Sequence, residues 1–245
     1  MTRTARPAAR RRSLALAVLG AAAIGGLGPA AAPARAQTSA LTDAERREGW
    51  RLLFDGHTTA GWRGYRSDSM PAGWRVADGT LTKAGVTGDI VTVEQFRDFE
   101  LSLEWKIATG GNSGIFYRAT EEYDHVYWSG PEYQLLDDAN APDGKSRLTA
   151  AGSDYGLYPS PPGIVKRAGE WNTTRIVVHG SHVEHWLNGR RLLAYDLGSP
   201  DWLRRVKASK FAAWPDYGRA SRGHIGIQGD HSGSLAIRNV RIRTL

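Results

Sequence analysis

From Trp50 onward, glycine, proline, asparagine or aspartate interrupts this chain about every eight to twelve residues, and the runs between alternate apolar with polar side chains. Alternation at period two buries one face and exposes the other only in a half-covered β-strand, so the pattern predicts an all-β, two-sheet antiparallel sandwich. The segment 100–107 is the clearest case, with Leu101, Leu103, Trp105 and Ile107 on one face and Glu100, Ser102, Glu104 and Lys106 on the other. Segments 174–179, 183–187 and 234–243 repeat the theme with β-branched residues. Asn188-Gly189 supplies the two positive-φ residues of a tight hairpin, so 183–187 and 190–195 are expected to be antiparallel neighbours. One short helix is expected from Asp43 to near Gly49, because Thr42-Asp43-Ala44-Glu45 has the form of a capping box. A helical turn near Trp202–Val206 is expected to lead into a strand or loop at 209–211, and 137–169 reads as a long surface excursion.

Composition matters mainly through where the charge lies. The formal net charge is +7, but residues 1–36 hold six arginines and no acid. The remaining 26 basic side chains face 25 acidic ones, which removes the argument for a nucleic-acid partner. Arg10-Arg11-Arg12, an uncharged stretch from Leu14 to Gly28 and Ala34-Arg35-Ala36 follow the order of a secretory signal, with cleavage expected after Ala36. The arginine pair before Ser13 also fits a twin-arginine signal. The stretch is shorter than the roughly 20 apolar residues of a membrane span, so a periplasmic or secreted protein without a stable span is expected. The organisation reads as an address over 1–36, a short segment with a capped helix over 37–48, and one sandwich domain over 49–245. A cysteine-free exported chain of this length can bury enough core without disulfides.

Nucleotide, phosphate-loop, zinc-peptidase and nucleophile-elbow motifs are all missing from the sequence. Nine Trp, nine Tyr and five Phe all lie beyond residue 36. Sheet faces studded with aromatic, acidic and amide side chains suit sugars, whose rings pack on aromatics and whose hydroxyls need fixed polar partners. Trp128, in the polar stretch 123–130, is the aromatic best placed for such a role, although any one Trp is more simply explained as core. The segment 110–138 is the richest in chemistry. Strict alternation sends Glu132 and Gln134 to one face and Asp137 to the other; a β-bulge between Gln134 and Asp137 would bring all three together. Two carboxyls so placed can perform acid/base work on a glycoside. In 223–233, His224, Gly226 and Gln228 alternate against Ile225 and Ile227, and Asp230 can orient the imidazole of His231 only if the chain turns at Gly229.

The ordered set Gly49–Gly56, Gly61-Trp62, Asp98–Leu101, Gly110–Arg118, Gly130–Asp137, Gly169–Asn172, Glu184–Gly189, Ser209–Phe211, Gly223–Gln228 and Arg238–Ile242 resembles the 3-keto-disaccharide hydrolase-type domain of the concanavalin A-like lectin/glucanase group. The resemblance implies a jelly roll with a sugar-binding concave face and cleavage of 3-keto-glycosides. A C3 carbonyl acidifies the C2 hydrogen, so a base can remove it, the C1 leaving group can depart, and water can add back. That chemistry needs a base, Glu132 or His231; a leaving-group acid, Asp137 or Glu132; and an enolate stabiliser, Arg118 or Lys210. Asn112, Tyr117, Trp128, Gln134, Glu184, Gln228 and Asp230 are the implied sugar contacts. Glucanase-like sandwiches carry Glu-x-Asp-x-Glu or its bulged form, whereas here Gln134 and Asp137 replace the second and third acids, which weakens ordinary glycoside hydrolysis as a reading. A divalent ion on carboxylates and a histidine could assist the enolate, but no ligand spacing compels one. A non-catalytic carbohydrate-binding module and a structural envelope sandwich are the competing classes.

Overall fold

The computed structural model describes residue 2 and residues 40–245, so the signal-peptide reading of 1–36 lies outside the described residues apart from residue 2. The capped helix forms as expected: α1 (Asp43–Arg47) carries the full capping box, with Thr42 and Glu45 exchanging side-chain and backbone hydrogen bonds. Thirteen strands follow among the described residues. The larger sheet contains β1 (Arg51–Leu52), β3 (Trp74–Ala77), β4 (Thr80–Lys83), β6 (Phe99–Ile107), β9 (Asn172–His179), β10 (His182–Leu187), β11 (Arg190–Asp196) and β13 (Leu235–Thr244). The smaller sheet has the order β2 (Trp62–Gly64), β5 (Ile90–Phe96), β12 (Gly223–Ile227), β7 (Asn112–Ala119) and β8 (Glu132–Leu136). All pairings are antiparallel, giving the two-sheet sandwich that the alternating pattern implies. No helix among the described residues is long and apolar enough to cross a membrane.

Alternation decides which side chains meet between the sheets. Leu101, Leu103 and Trp105 of β6, with Ile237 and Ile242 of β13, share one buried core with Ile115 of β7, Leu135 of β8 and Ile225 and Ile227 of β12. Each such side chain contributes about 1.5–3 kcal/mol of burial. Trp105 is wholly buried because its Nε1 donates to Thr174 Oγ1 at 2.9 Å, which removes the cost of an unpaired indole N–H. The polar face of β6 is less open than its sequence suggests: Glu100 is only 4% exposed, because Arg175 and Arg243 converge on its carboxylate and lay their stems across it. The β10–β11 hairpin turns as expected, with Asn188 at φ 50° and Gly189 at φ 81°. A β-branched residue at 189 would be strained there, so Gly189→Val is expected to lower stability by about 1–2 kcal/mol in a denaturant titration.

Two expectations change. Residues 209–211 form neither strand nor open loop: α2 (Pro200–Lys207) is followed by a 3-10 turn over Lys210–Ala213, with Ser209 Oγ accepting from Phe211 N. Nor is 137–169 purely a surface excursion. Residues 150–154 are buried, and three backbone bonds run along β8: Gly152 N to Gln134 O, Gln134 N to Ser153 O, and Tyr155 N to Glu132 O. β8 is an edge strand, and this segment covers groups that would otherwise stand unpaired.

Candidate active site

The outer face of the smaller sheet is built by the other half of the alternation. While Ile115, Tyr117, Tyr133, Leu135, Ile225 and Ile227 enter the core, Asn112, Gly114, Glu132, Gln134, Gly226 and Gln228 fall on the opposite face. A cavity of about 160 Å³ opens there, lined by Asn112, Glu132 and Gln228 from the sheet and its edges. Lys210 of the 3-10 turn, Asp230 and His231 of the following loop, and Tyr127 and Tyr155 complete its wall. Six of the twelve residues proposed from sequence therefore meet in one cavity.

Glu132 is buried, only 5% exposed. Burial pushes its carboxyl up to about 8, with Asp230, Asp89 and Asp143 adding repulsion and Lys210 opposing the rise. The strand beside it must be bare for it to lie flat: a Cβ on Gly114 would overlap the Glu132 carboxyl. Gly114→Ala is accordingly expected to cut turnover by about 10²-fold and to destabilise the fold by about 1–3 kcal/mol. Turnover equal to the parent would show that the position of this carboxyl is immaterial. Gln134, wholly buried, brings its amide to 2.9 Å from Glu132 Oε1 in the orientation that donates to it. Turned the other way, the amide donates to Asn112 Oδ1 at 3.1 Å, Asn112 Nδ2 donates to Asp143 at 3.2 Å, and Tyr155 donates to the same Asp143 oxygen at 3.3 Å. The network can thus face either an ionised or a protonated Glu132.

Lys210 Nζ sits 4.4 Å from the centre of the Tyr155 ring and 5.7 Å from that of Tyr127, with no salt bridge or hydrogen bond among the described residues. Its cation is therefore unspent. It is aimed by a stack of aromatic rings, Phe211 on Tyr217 at 4.1 Å, then Trp202, Tyr195 and Tyr158, which ties the 200–217 segment to the larger sheet. The chain does not turn at Gly229 itself but bends over 230–233, just beyond it, and the segment is strongly held. Asp89 Oδ1 accepts from Gly229 N at 2.7 Å, and the buried Lys83 ammonium donates to the carbonyls of His231 and Gly233 at 2.7 and 3.2 Å. His231 Nε2 then lies 3.8 Å from Asp230 Oδ1, an oxygen buried without a hydrogen-bond partner. Gln228 Oε1 is likewise buried and unpartnered, leaving an acceptor for a ligand hydroxyl.

The other proposed residues lie elsewhere. The β7–β8 register is unbroken from Phe116↔Glu132 to Asn112↔Leu136, so there is no bulge before Asp137. Asp137 instead turns away and accepts from Gly110 N and Asn140 Nδ2, both at 2.8 Å, fixing two turns. The bulge occurs in β7, where Tyr117 and Arg118 together face Ile225 alone and Arg118 takes φ 50°. That geometry sends Tyr117 into the core, where its hydroxyl meets His185 and Tyr195, and sends Arg118 to the carbonyls of Arg97 and Gly180 and to Asp98. Glu184 is on the outward face of the larger sheet, paired with Trp186 Nε1 and Arg191. Trp128 borders the cavity wall through Tyr127 without lining it. Tyr155 and Tyr127 are not among the residues that the sequence singles out; Tyr127 lies within the polar stretch 123–130, whereas nothing local to Tyr155 marks it. Among the described residues no three His, Asp or Glu side chains are grouped to hold a metal ion.

The fold and cavity define a β-sandwich with an acid, a free cation and an Asp–His pair on one sheet face. The family model of the 3-keto-alpha-glucoside-1,2-lyase-like domain matches residues 49–243, and the chain belongs to that family. It is 36% identical over 230 residues to a 3-keto-disaccharide hydrolase of Bacteroides thetaiotaomicron, covering 81% of this chain and 79% of that protein. Two solved structures from Parabacteroides distasonis, provisionally described as glycosyl hydrolases, superpose with TM-scores of 0.80 and 0.64 at 36% and 30% identity. They cover 85% and 80% of this chain and 100% and 99% of their own.

Proposed function

We propose that this protein cleaves the glycosidic bond of 3-keto-glycosides by elimination and rehydration. The observation that carries the reading is the buried Glu132, whose carboxyl burial pushes up to about 8, in the same small cavity as the uncommitted Lys210 cation and the Asp230–His231 pair. His231 removes the C2 proton, and the electron pair of that C–H bond forms the enolate, whose oxygen Lys210 stabilises. Collapse of the enolate breaks the C1–O bond as Glu132 gives its proton to the departing oxygen, leaving a 1,2-unsaturated ketone. Water then adds its oxygen to C1 and a proton returns to C2, so the overall change is hydrolysis. Burial of the acid is what makes this assignment preferable to one in which an exposed carboxylate donates, because only a raised carboxyl still holds its proton near neutrality.

The test is turnover of a 3-keto-disaccharide and of its unoxidised parent, with and without chelator. Cleavage of the keto sugar alone is expected; cleavage of both would point to ordinary glycoside hydrolysis, and binding without cleavage to a lectin-like module. Loss of activity with chelator would add a metal ion to the scheme. The pH profile assigns Glu132. As acid it must be protonated, so kcat is expected to fall as pH rises through about 8. A rate that instead climbs through that pH would make Glu132 the base. We further propose export by residues 1–36, tested by whether the mature protein recovered from outside the cytoplasm begins at Gln37.

A further inference from the structure

Two side-chain amides join Glu132 to Asp143, a residue that does not line the cavity. Gln134 brings one end of its amide to 2.9 Å from Glu132 Oε1 and the other to 3.1 Å from Asn112 Oδ1, and Asn112 Nδ2 donates to Asp143 Oδ2 at 3.2 Å. Asp143 is carried by the 3-10 turn Pro142–Lys145, where its carbonyl accepts from Thr149 Oγ1 at 2.6 Å. An amide has one donating and one accepting end, so a chain of two has a direction, and a fixed charge at one end selects it. Ionised Asp143 only accepts, so it meets the Nδ2 end of Asn112. Asn112 then presents Oδ1 to Gln134, which answers with Nε2 and leaves its carbonyl toward Glu132. A carbonyl 2.9 Å from a carboxyl oxygen is favourable only where that carboxyl holds a proton to donate. The opposite direction suits an ionised Glu132, because Gln134 Nε2 would then donate both to it and to Ser113 O at 3.2 Å. That arrangement sets the Gln134 and Asn112 oxygens against each other, and turning Asn112 to relieve them sets Oδ1 against Asp143.

Resting on the function proposed above, we infer that Asp143 is a positioning residue for the leaving-group acid: its charge, passed through Asn112 and Gln134, turns an acceptor toward Glu132 and keeps the proton there until the departing oxygen takes it. Other charged or titratable groups also face Glu132: Lys210 from the 3-10 turn, Asp230 and His231 from the loop after β12, Asp89 ahead of β5, and Asp154 from the segment that covers β8. None of them hydrogen-bonds to Gln134 or Asn112 among the described residues, so they act on Glu132 through space. The phenols of Tyr117, Tyr127, Tyr155 and Tyr217 are raised by burial and stay neutral. Once Glu132 has given its proton away, the Gln134 carbonyl faces a carboxylate, which favours recapture of the proton that the added water releases. The chain thereby resets the acid for the next turnover.

The experiment compares Asp143→Asn, Gln134→Met and the double variant with the parent by two readouts. One is titration of the Glu132 carboxyl, followed by the infrared carbonyl band that Glu132→Gln removes; the other is the pH profile of kcat on a 3-keto-disaccharide. Asp143→Asn is expected to move the titration and the alkaline limb of kcat together to lower pH by about one unit. In the Gln134→Met background, where the chain is cut, the same substitution is expected to shift both by less than about 0.3 unit. An equal shift in the two backgrounds would mean that Asp143 acts through space alone, and no shift in either would mean that it does not act on Glu132; each overturns the inference. So would a kcat lowered equally at every pH, the mark of a merely structural role. Should Gln134→Met fail to fold, Asn112→Ala cuts the chain at its other amide. A titration that shifts as expected in a protein that cleaves no 3-keto sugar would instead overturn the function and leave the link between Asp143 and Glu132 standing.

Discussion

Glu132→Gln is expected to lose cleavage by about 10³-fold or more while making the protein more stable at pH 8. Both effects have one cause, the desolvation that raises this carboxyl to about 8. An unfolded glutamate titrates near 4.3, so between that pH and about 8 the folded chain keeps a proton that the unfolded chain has released. Where the native state binds more protons, stability falls as pH rises, so Glu132 weakens the fold progressively through this window. Glutamine fits the same space, meets Gln134 without a charge, and does not titrate. The variant and the parent should therefore unfold alike near pH 4 and diverge to about 2–4 kcal/mol at pH 8 in denaturant titrations. A stability difference independent of pH would refute the raised carboxyl, and undiminished turnover would remove Glu132 from the mechanism.

Lys210→Met carries the next largest effect. The ammonium is exposed and engages only aromatic faces, so its loss should change stability by less than about 1 kcal/mol. If it holds the 3-oxyanion, kcat should nevertheless fall by about 10²–10³-fold, with Lys210→Arg recovering part of it. A second readout is independent of the rate. Lys210 lowers the Glu132 carboxyl, so removing it should move the alkaline limb of the pH profile to higher pH. A limb that stays in place would mean that the two groups do not share the cavity in solution.

The raised carboxyl of Glu132 depends on residues that the chain brings from far away, and this limits what the sequence makes legible. Local rules suffice for the capping box at Thr42, the hairpin at Asn188-Gly189 and the alternation of β6, because each depends on contacts within a few residues. That Glu132 and Gln134 share one face of their strand, and His224, Gly226 and Gln228 one face of theirs, is also legible, since period two assigns side chains to faces without knowing which strands are neighbours. The bulge is different. The sequence allowed one before Asp137, but pairing with β12 places it at Tyr117–Arg118, which removes Tyr117, Arg118 and Asp137 from the cavity together.

The amino-acid sequence by itself therefore determined the strands, their buried faces and the acidic, amide and histidine groups available on one of them. The tertiary structure alone decided that Tyr155, from the segment covering the edge of β8, and Lys210, from a turn fixed by stacked rings, stand over the same carboxyl. The physical reason is that a pKa and an unpaired cation are properties of burial and of distant neighbours, which periodicity along a chain does not encode.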